Sequence, residues 1–314
     1  MRALVTGGAG FIGSNIVDAL VARGDDVAVI DDLSAGKREN LAGALGAGAR
    51  LHVVDIREAD DVRAAFAQEQ PEVVLHLAAQ TDVRKSIADP AFDARTNVVG
   101  TLNVLEAART HGARRFINTS TGGAIYGDVD QIPTPESVPP EPMAPYGQSK
   151  FCAEEYCRWE RRLHGLETVT VRYGNVYGPR QDPHGDAGVI AIFCGRALEG
   201  RRPTVYGDGR QTRDYVHVDD IVAANLLAAD HPDADGAYNV GNQQESTVLD
   251  LVEAIRDAAG LGQEFDPEFA PARQGELDRS CLDITRIRTE LGFEPKVGLR
   301  EGIAQTYAWV RAGS

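Results

Sequence analysis

Hydrophobic residues in the first 170 positions follow two alternating patterns. Short unbroken apolar runs at Ala3–Val5, Val27–Ile30, Leu51–Val54, Val73–Leu77, Phe116–Thr119 and Thr168–Val171 lack polar interleaving, as expected of strands buried on both faces. Between them, apolar positions recur at helical spacing over Ile12–Arg23, Ala59–Gln68, Ala91–Thr110 and Tyr146–His164. Strand and helix in turn predict an α/β fold with a doubly wound parallel sheet. After about Arg172 the rhythm loosens. Segments rich in Gly, Pro and Asp (Gly178–Gly188, Gly200–Gln211, Gln263–Gly275) interrupt helical stretches near Val189–Leu198, Asp219–Ala229, Val248–Ala259 and Leu299–Arg311. This predicts a main domain over 1–172, with returns to its sheet from about 215–245, and a smaller interwoven C-terminal α/β lobe over 173–314.

Composition narrows the function. The 314 residues are 43% hydrophobic and 25% charged, ordinary for a globular protein, with a formal charge of −15. So acidic a surface repels phosphate backbones, so nucleic acid is not an expected partner, and any anionic ligand needs a local cluster of donors. The lysines are only Lys37, Lys85, Lys150 and Lys296. The cysteines (Cys152, Cys157, Cys194, Cys281) form no C-x-x-C pair and the histidines no H-x-x-x-H spacing, so no metal site is expected. No run of 18 apolar residues predicts a membrane span. Met1 leads at once into a strand-like run, and the expected location is cytoplasmic.

The first strand is followed by Thr6-Gly-Gly-Ala-Gly-Phe-Ile-Gly13, and a helical pattern follows that. Gly7, Gly10 and Gly13 supply a tight turn and close backbone approach, while the amides of Phe11, Ile12 and Gly13 open a helix whose dipole favours a pyrophosphate. Asp31, at the end of the second strand, is placed to accept from a ribose 2′,3′-diol and to repel a 2′-phosphate. The predicted cofactor is therefore NAD on a Rossmann domain. Asp32 stands beside Asp31, and Asp55-Ile56 is placed at the adenine edge. A second constellation is Tyr146-Gly-Gln-Ser-Lys150. At i and i+4 the phenol and ammonium share a helix face, and a nearby cation is expected to lower the tyrosine pKa.

Together with His76-Leu-Ala-Ala79, Asn97 and Arg213-Asp-Tyr-Val-His-Val218, these motifs resemble the extended short-chain dehydrogenase/reductase family of epimerases and dehydratases. They are most similar to its bacterial branch acting at C4 of UDP-glucose and UDP-galactose. The resemblance spans essentially the whole chain. It implies Tyr146 as the base for the sugar 4-hydroxyl, Lys150 as its modulator, Leu77, Ala78, Ala79 and Tyr173 beside the nicotinamide, and Asn97 as a brace. Many relatives carry a hydroxyl four residues before Tyr126, where this chain has Gly122. Thr121 is the candidate replacement, because Gly122-Gly123 can re-route the strand end, and Ser120 is its alternate. The resemblance also implies a UDP-hexose held by Thr81, Ser120, Asn175, Val189, Tyr206, Arg213, Arg273 and Glu276, and a homodimer through the helices at 91–110 and 146–164.

One feature separates the reactions. Family dehydratases carry an Asp-Glu pair directly after the hydroxyl residue to remove water, whereas this chain has Gly122-Gly-Ala-Ile, with no carboxylate. The expectation is 4-epimerisation through a 4-keto sugar. The alternatives are a nucleotide-sugar 4,6-dehydratase, a UDP-uronate or UDP-N-acetylhexosamine 4-epimerase, and a silent NAD-binding sensor. The small Ser280 and Cys281 suggest room for a 2-N-acetyl group.

Overall fold

The computed structural model describes residues 1–183, 188–272 and 277–313. These form twelve strands: β1 (Arg2–Thr6), β2 (Asp26–Asp31), β3 (Arg50–Val53), β4 (Val73–His76), β5 (Arg115–Thr121), β6 (Glu167–Tyr173), β7 (Asn175–Tyr177), β8 (Thr204–Tyr206), β9 (Thr212–His217), β10 (Gly236–Val240), β11 (Glu245–Thr247) and β12 (Glu268–Ala270). Seven form one parallel sheet in the order β10-β6-β5-β4-β1-β2-β3, so the strand order reverses beside β1 and β4. That reversal opens a crevice at the carboxyl ends of the strands, where a doubly wound sheet binds ligands.

The apolar runs locate the central strands because those strands are buried throughout, as at Val73–His76. β3 departs from the pattern. It is the sheet edge and its Val53 is 57% exposed, so the expected two-sided burial does not hold there. The stretch read as one helix over 91–110 is three pieces: Pro90–Ala94, a π-helical turn at Arg95–Gly100, and Thr101–Thr110. Gly100 lets this turn lie close to Ile56, whose Cδ1 would be 2.7 Å from a Cβ at that position. A wider turn of this kind re-aims side chains and is concentrated at functional sites.

Hydrophobic cores form on both faces of the sheet and in the second lobe. The largest lies between the sheet and the helices Phe11–Ala22 and Val218–Asp230, and it also takes Ile284, Ile287, Leu291 and Phe293 from near the C-terminus. Another packs Phe66, Val104 and Leu105 against Leu4, Val74 and Phe116 of the strands. The lobe's own core gathers the helices Val189–Leu198, Val248–Ala259 and Leu299–Arg311 around Phe193, Leu251 and Ile303. Small sheets, β11-β9-β7 and β12-β8, edge this part. At three residues each, β7, β8, β11 and β12 are too short to leave a periodic signal in sequence. Asp214, on β9, ties distant segments together. Its buried carboxylate accepts from the amides of Asn242 (2.7 Å), Gln243 (3.2 Å) and Leu282 (3.2 Å), and burial pushes its pKa up to about 6.

Candidate active site

β1 delivers Thr6 to the crevice and the chain turns at Gly7, whose φ of +69° is a left-handed conformation that favours glycine. The Gly7 amide binds the Ile30 carbonyl and the Gly10 amide returns to the Gly7 carbonyl, which closes the loop. Gly10 then caps the helix Phe11–Ala22. The amides of Phe11, Ile12 and Gly13 sit in its first turn, which offers them no carbonyl of its own. A Cβ on Gly7 would lie 2.6 Å from the Ala78 amide nitrogen, and one on Gly13 would overlap the Gly7 carbonyl. β1, the loop after β4 and the helix start therefore touch backbone to backbone, and this concave row of amides fits a dinucleotide diphosphate.

Asp31 is buried at the rim. Its two oxygens accept from the Ala9 and Leu33 amides, both at 2.9 Å, and burial raises its pKa. The approach of Gly36, whose Cβ would fall 2.7 Å from Asp31 Oδ1, keeps the acid enclosed. Asp32 is exposed and accepts from Ser34. The Asp55 carboxylate is gripped by Arg57 Nε at 2.8 and 2.9 Å, which holds its pKa below the ordinary carboxylate value. Ile56 is buried against Gly100. Leu77, Ala78 and Ala79 run on from β4, the first two donating to Thr6 Oγ1 at 3.2 Å. Tyr173 is buried, with its hydroxyl donating to Asn225 Oδ1 at 2.9 Å and lying 3.2 Å from Thr119 Oγ1, so that group faces protein.

The catalytic candidates converge from three elements. The helix Pro145–His164 starts with proline at its first position, and Gly147 lets it press against the Ala124 carbonyl, where a Cβ would not fit. This sets Tyr146 against the end of β5, where the neighbouring Thr121 hydroxyl draws the phenol's pKa down. Ser120 is buried at 2% exposure and its Oγ has no partner among the described residues. Gly122 is needed for packing, because a Cβ there would run into Leu282. Asn175 is exposed at the start of β7, with its Oδ1 3.5 Å from where a Gly123 Cβ would lie.

The expected lowering of the tyrosine pKa by Lys150 is not met in the protein alone. Burial pushes Tyr146 up to about 12; the Thr121 hydrogen bond opposes this and the Asp93 charge adds to it. Lys150, 2% exposed, is itself pushed down to about 8 by burial, against the raising influence of Cys157, Glu154 and Asp93. The two groups are thus drawn from opposite directions, one turn apart.

Asn97 braces the site from the π turn. Its Oδ1 accepts from the Gln80 amide at 2.8 Å, and its Nδ2 donates to the Gln80 carbonyl at 2.9 Å and to Ser149 Oγ at 3.0 Å. Sequence reasoning missed the groups around it. Ser86 Oγ accepts the Tyr146 amide at 3.1 Å, and Asp93 lies beneath Asn97. It also missed the buried Glu154–Arg172 pair behind Lys150 and the neutral His76, pushed down to about 3 by burial and Lys150. The spacing Asp93–Asn97 and Lys150–Glu154, each i and i+4, was the available signal.

The substrate candidates are less gathered. Thr81 is exposed beyond β4, Val189 opens its helix half-buried, and Tyr206 ends β8 half-buried. Arg213 lies on β9 opposite Ser246 and donates from Nη1 to the Thr212 carbonyl at 2.7 Å. Arg273 and Glu276 lie outside the described residues. Ser280 is half-buried, but Cys281 is buried with Sγ turned to Asp214 at 4.0 Å, so it does not line an open wall as expected. A cavity of about 360 Å³ further along the tyrosine helix, lined by Glu154, Arg158, Arg161 and Asp235, includes none of the predicted site residues.

The architecture and this site define an NAD-using member of the doubly wound α/β enzymes. Residues 3–241 match the sequence model of the NAD dependent epimerase/dehydratase family, and the chain belongs to that family. It is 47% identical over 312 residues to a UDP-glucose 4-epimerase of Mycolicibacterium smegmatis, covering 99% of both chains. Among solved structures it is similar to the UDP-glucose 4-epimerase of Thermotoga maritima with UDP-glucose (TM-score 0.95, 44% identity, 99% of both chains). It is equally similar in sequence to the UDP-glucose 4-epimerase of Thermus thermophilus in complex with NAD (TM-score 0.93, 44% identity, all of both chains).

Proposed function

We propose that the chain is a UDP-hexose 4-epimerase that interconverts UDP-glucose and UDP-galactose and keeps its NAD bound through the cycle. The observation that carries this reading is Tyr146 one turn from the buried Lys150 at the end of β5, with Gly122 and Gly123 where a dehydratase needs carboxylates. NAD, when bound, supplies a cationic ring able to take up a hydride and give it back. The protein moves the proton. Tyr146, with Thr121 relaying, accepts it from the sugar 4-hydroxyl and returns it to O4 once the 4-keto sugar has turned its other face, and Lys150 supports the phenolate. With no carboxylate to eliminate water, the 4-keto sugar has turning and reduction as its outlet. Asn175 and Arg213 are suited to hold the nucleotide sugar, an arginine fork being apt for diphosphate.

The active unit is proposed to be a homodimer. Val99, Tyr156, Trp159 and Leu163 are 47%, 37%, 38% and 55% exposed, an apolar stripe on the two helices expected to pair with their copies.

Incubating the NAD-loaded protein with UDP-galactose is expected to give UDP-glucose. A 4-keto-6-deoxy product would assign a dehydratase instead, and no change would leave a sensor. Tyr146→Phe is expected to abolish turnover while NAD stays bound; retained turnover would overturn the mechanism.

A further inference from the structure

Behind the proposed catalytic pair lies a carboxylate with no role in the reaction as written. Asp93, in the short helix Pro90–Ala94, is 1% exposed. Its Oδ1 accepts from Gln80 Nε2 at 2.9 Å and from Asn97 Nδ2 at 3.2 Å. Its Oδ2 is buried with no hydrogen-bond partner among the described residues. No arginine or lysine forms an ion pair with it among the described residues, although burying an unpaired carboxylate is costly. A neutral side chain would serve the Gln80 and Asn97 contacts at less cost, so the charge needs its own reason.

The network reaches the reacting groups on both sides. Gln80 belongs to the loop that follows Ala78-Ala79, and its backbone amide and carbonyl are both held by Asn97. Asn97 donates to Ser149 Oγ, and Ser149 donates to the Tyr146 carbonyl at 3.0 Å. We propose that Asp93 is a positioning residue for the reaction: Oδ1 anchors the carboxamides that join the loop after β4 to the tyrosine helix, and the charge on the unbonded Oδ2 steadies the Lys150 ammonium. This rests on the reading of Tyr146 and Lys150 as the reacting pair.

The charged and titratable groups around Lys150 make Asp93 distinctive. Glu154 and Cys157 belong to Lys150's own helix, and Glu154 is already bound by Arg172 through Nε and Nη2. His76, from β4, is neutral. Among the described residues, Asp93 is the carboxylate without an ion-pair partner whose charge acts on both Lys150 and Tyr146, and it favours the proton on each.

Asp93→Asn keeps the shape and removes the charge, so Tyr146 and Lys150 both release protons at lower pH. The acid and alkaline limbs of the kcat profile for UDP-galactose should both move down by about one unit, with KM little changed. Asp93→Glu should restore the wild-type limbs, at reduced kcat. Asp93→Ser serves as the second neutral variant if Asp93→Asn does not fold. Neutral variants that keep both limbs in place, or that both fail to fold while Asp93→Glu folds, would make Asp93 purely structural and overturn the proposal. Tyr146→Phe run in parallel separates the two claims. If it retains turnover, the reading of the pair fails; if it is inactive and the limbs stay fixed in Asp93→Asn, only the role of Asp93 fails.

Discussion

Two hydroxyls end β5, yet they differ in what they touch. Thr121 meets the Tyr146 phenol, while Ser120 is enclosed without a partner among the described residues. The Thr121 bond pulls the phenol down against burial, so Thr121→Val should raise the Tyr146 pKa further. Losing a hydrogen bond to a charged group is worth about 1.5–3 kcal/mol, roughly 10- to 100-fold in kcat. The limb of the pH profile that Tyr146 sets should move to higher pH, the opposite of the shift expected for Asp93→Asn, and stopped-assay kinetics across pH would show it. Ser120→Ala, by contrast, should leave kcat within a few-fold of wild type. In the protein without cofactor, Lys150 loses its proton as pH rises through about 8, before the Tyr146 phenol at about 12, an order that a pH titration of the free protein should show.

At the scale of elements, the one-turn helix Gly122–Ile125 shows how packing decides chemistry. Leu282 fills the space a side chain at 122 would need, and Leu282 is fixed because its amide binds Asp214. Gly122→Ala should therefore destabilise the fold by about 1–3 kcal/mol through overpacking. Leu282→Ala in the same chain should recover part of that loss, a coupling measurable by denaturant titration of the four members of the cycle. The central strands and the tyrosine helix were legible in sequence because buried parallel strands and long helices leave continuous apolar signals. The candidate catalytic pair and the glycine loop could be proposed from sequence because their spacing is local. The π turn at Arg95–Gly100 was not, since it keeps helical composition and the chain it packs on, at Ile56, is distant in sequence. Asp93 and Ser86 went unseen for a related reason: a buried acid and a buried serine reveal their purpose only once their partners are assembled. Cys281 looked small and available, but it is turned toward Asp214.

For the whole molecule, the −15 charge and the acidic pairs leave the apolar stripe on the tyrosine helix as the natural place for a second copy to dock. Trp159→Glu places like charges face to face across such a seam. Light scattering should then report a mass near 33.7 kDa, where the wild type should show twice that. If both proteins run as monomers, the dimer reading is wrong. The order of the strands carries a different consequence. β10 closes the sheet edge beside β6, and Ile284 to Phe293 complete the core beneath it, although every motif of the nucleotide cradle and the catalytic pair lies before residue 151. A chain emerging from the ribosome at roughly 5–20 residues per second therefore carries its candidate site residues for some time without a finished scaffold to hold them. A chain ending before Ile284 would lack part of the core that backs the sheet, so its hold on the cofactor is expected to be weakened.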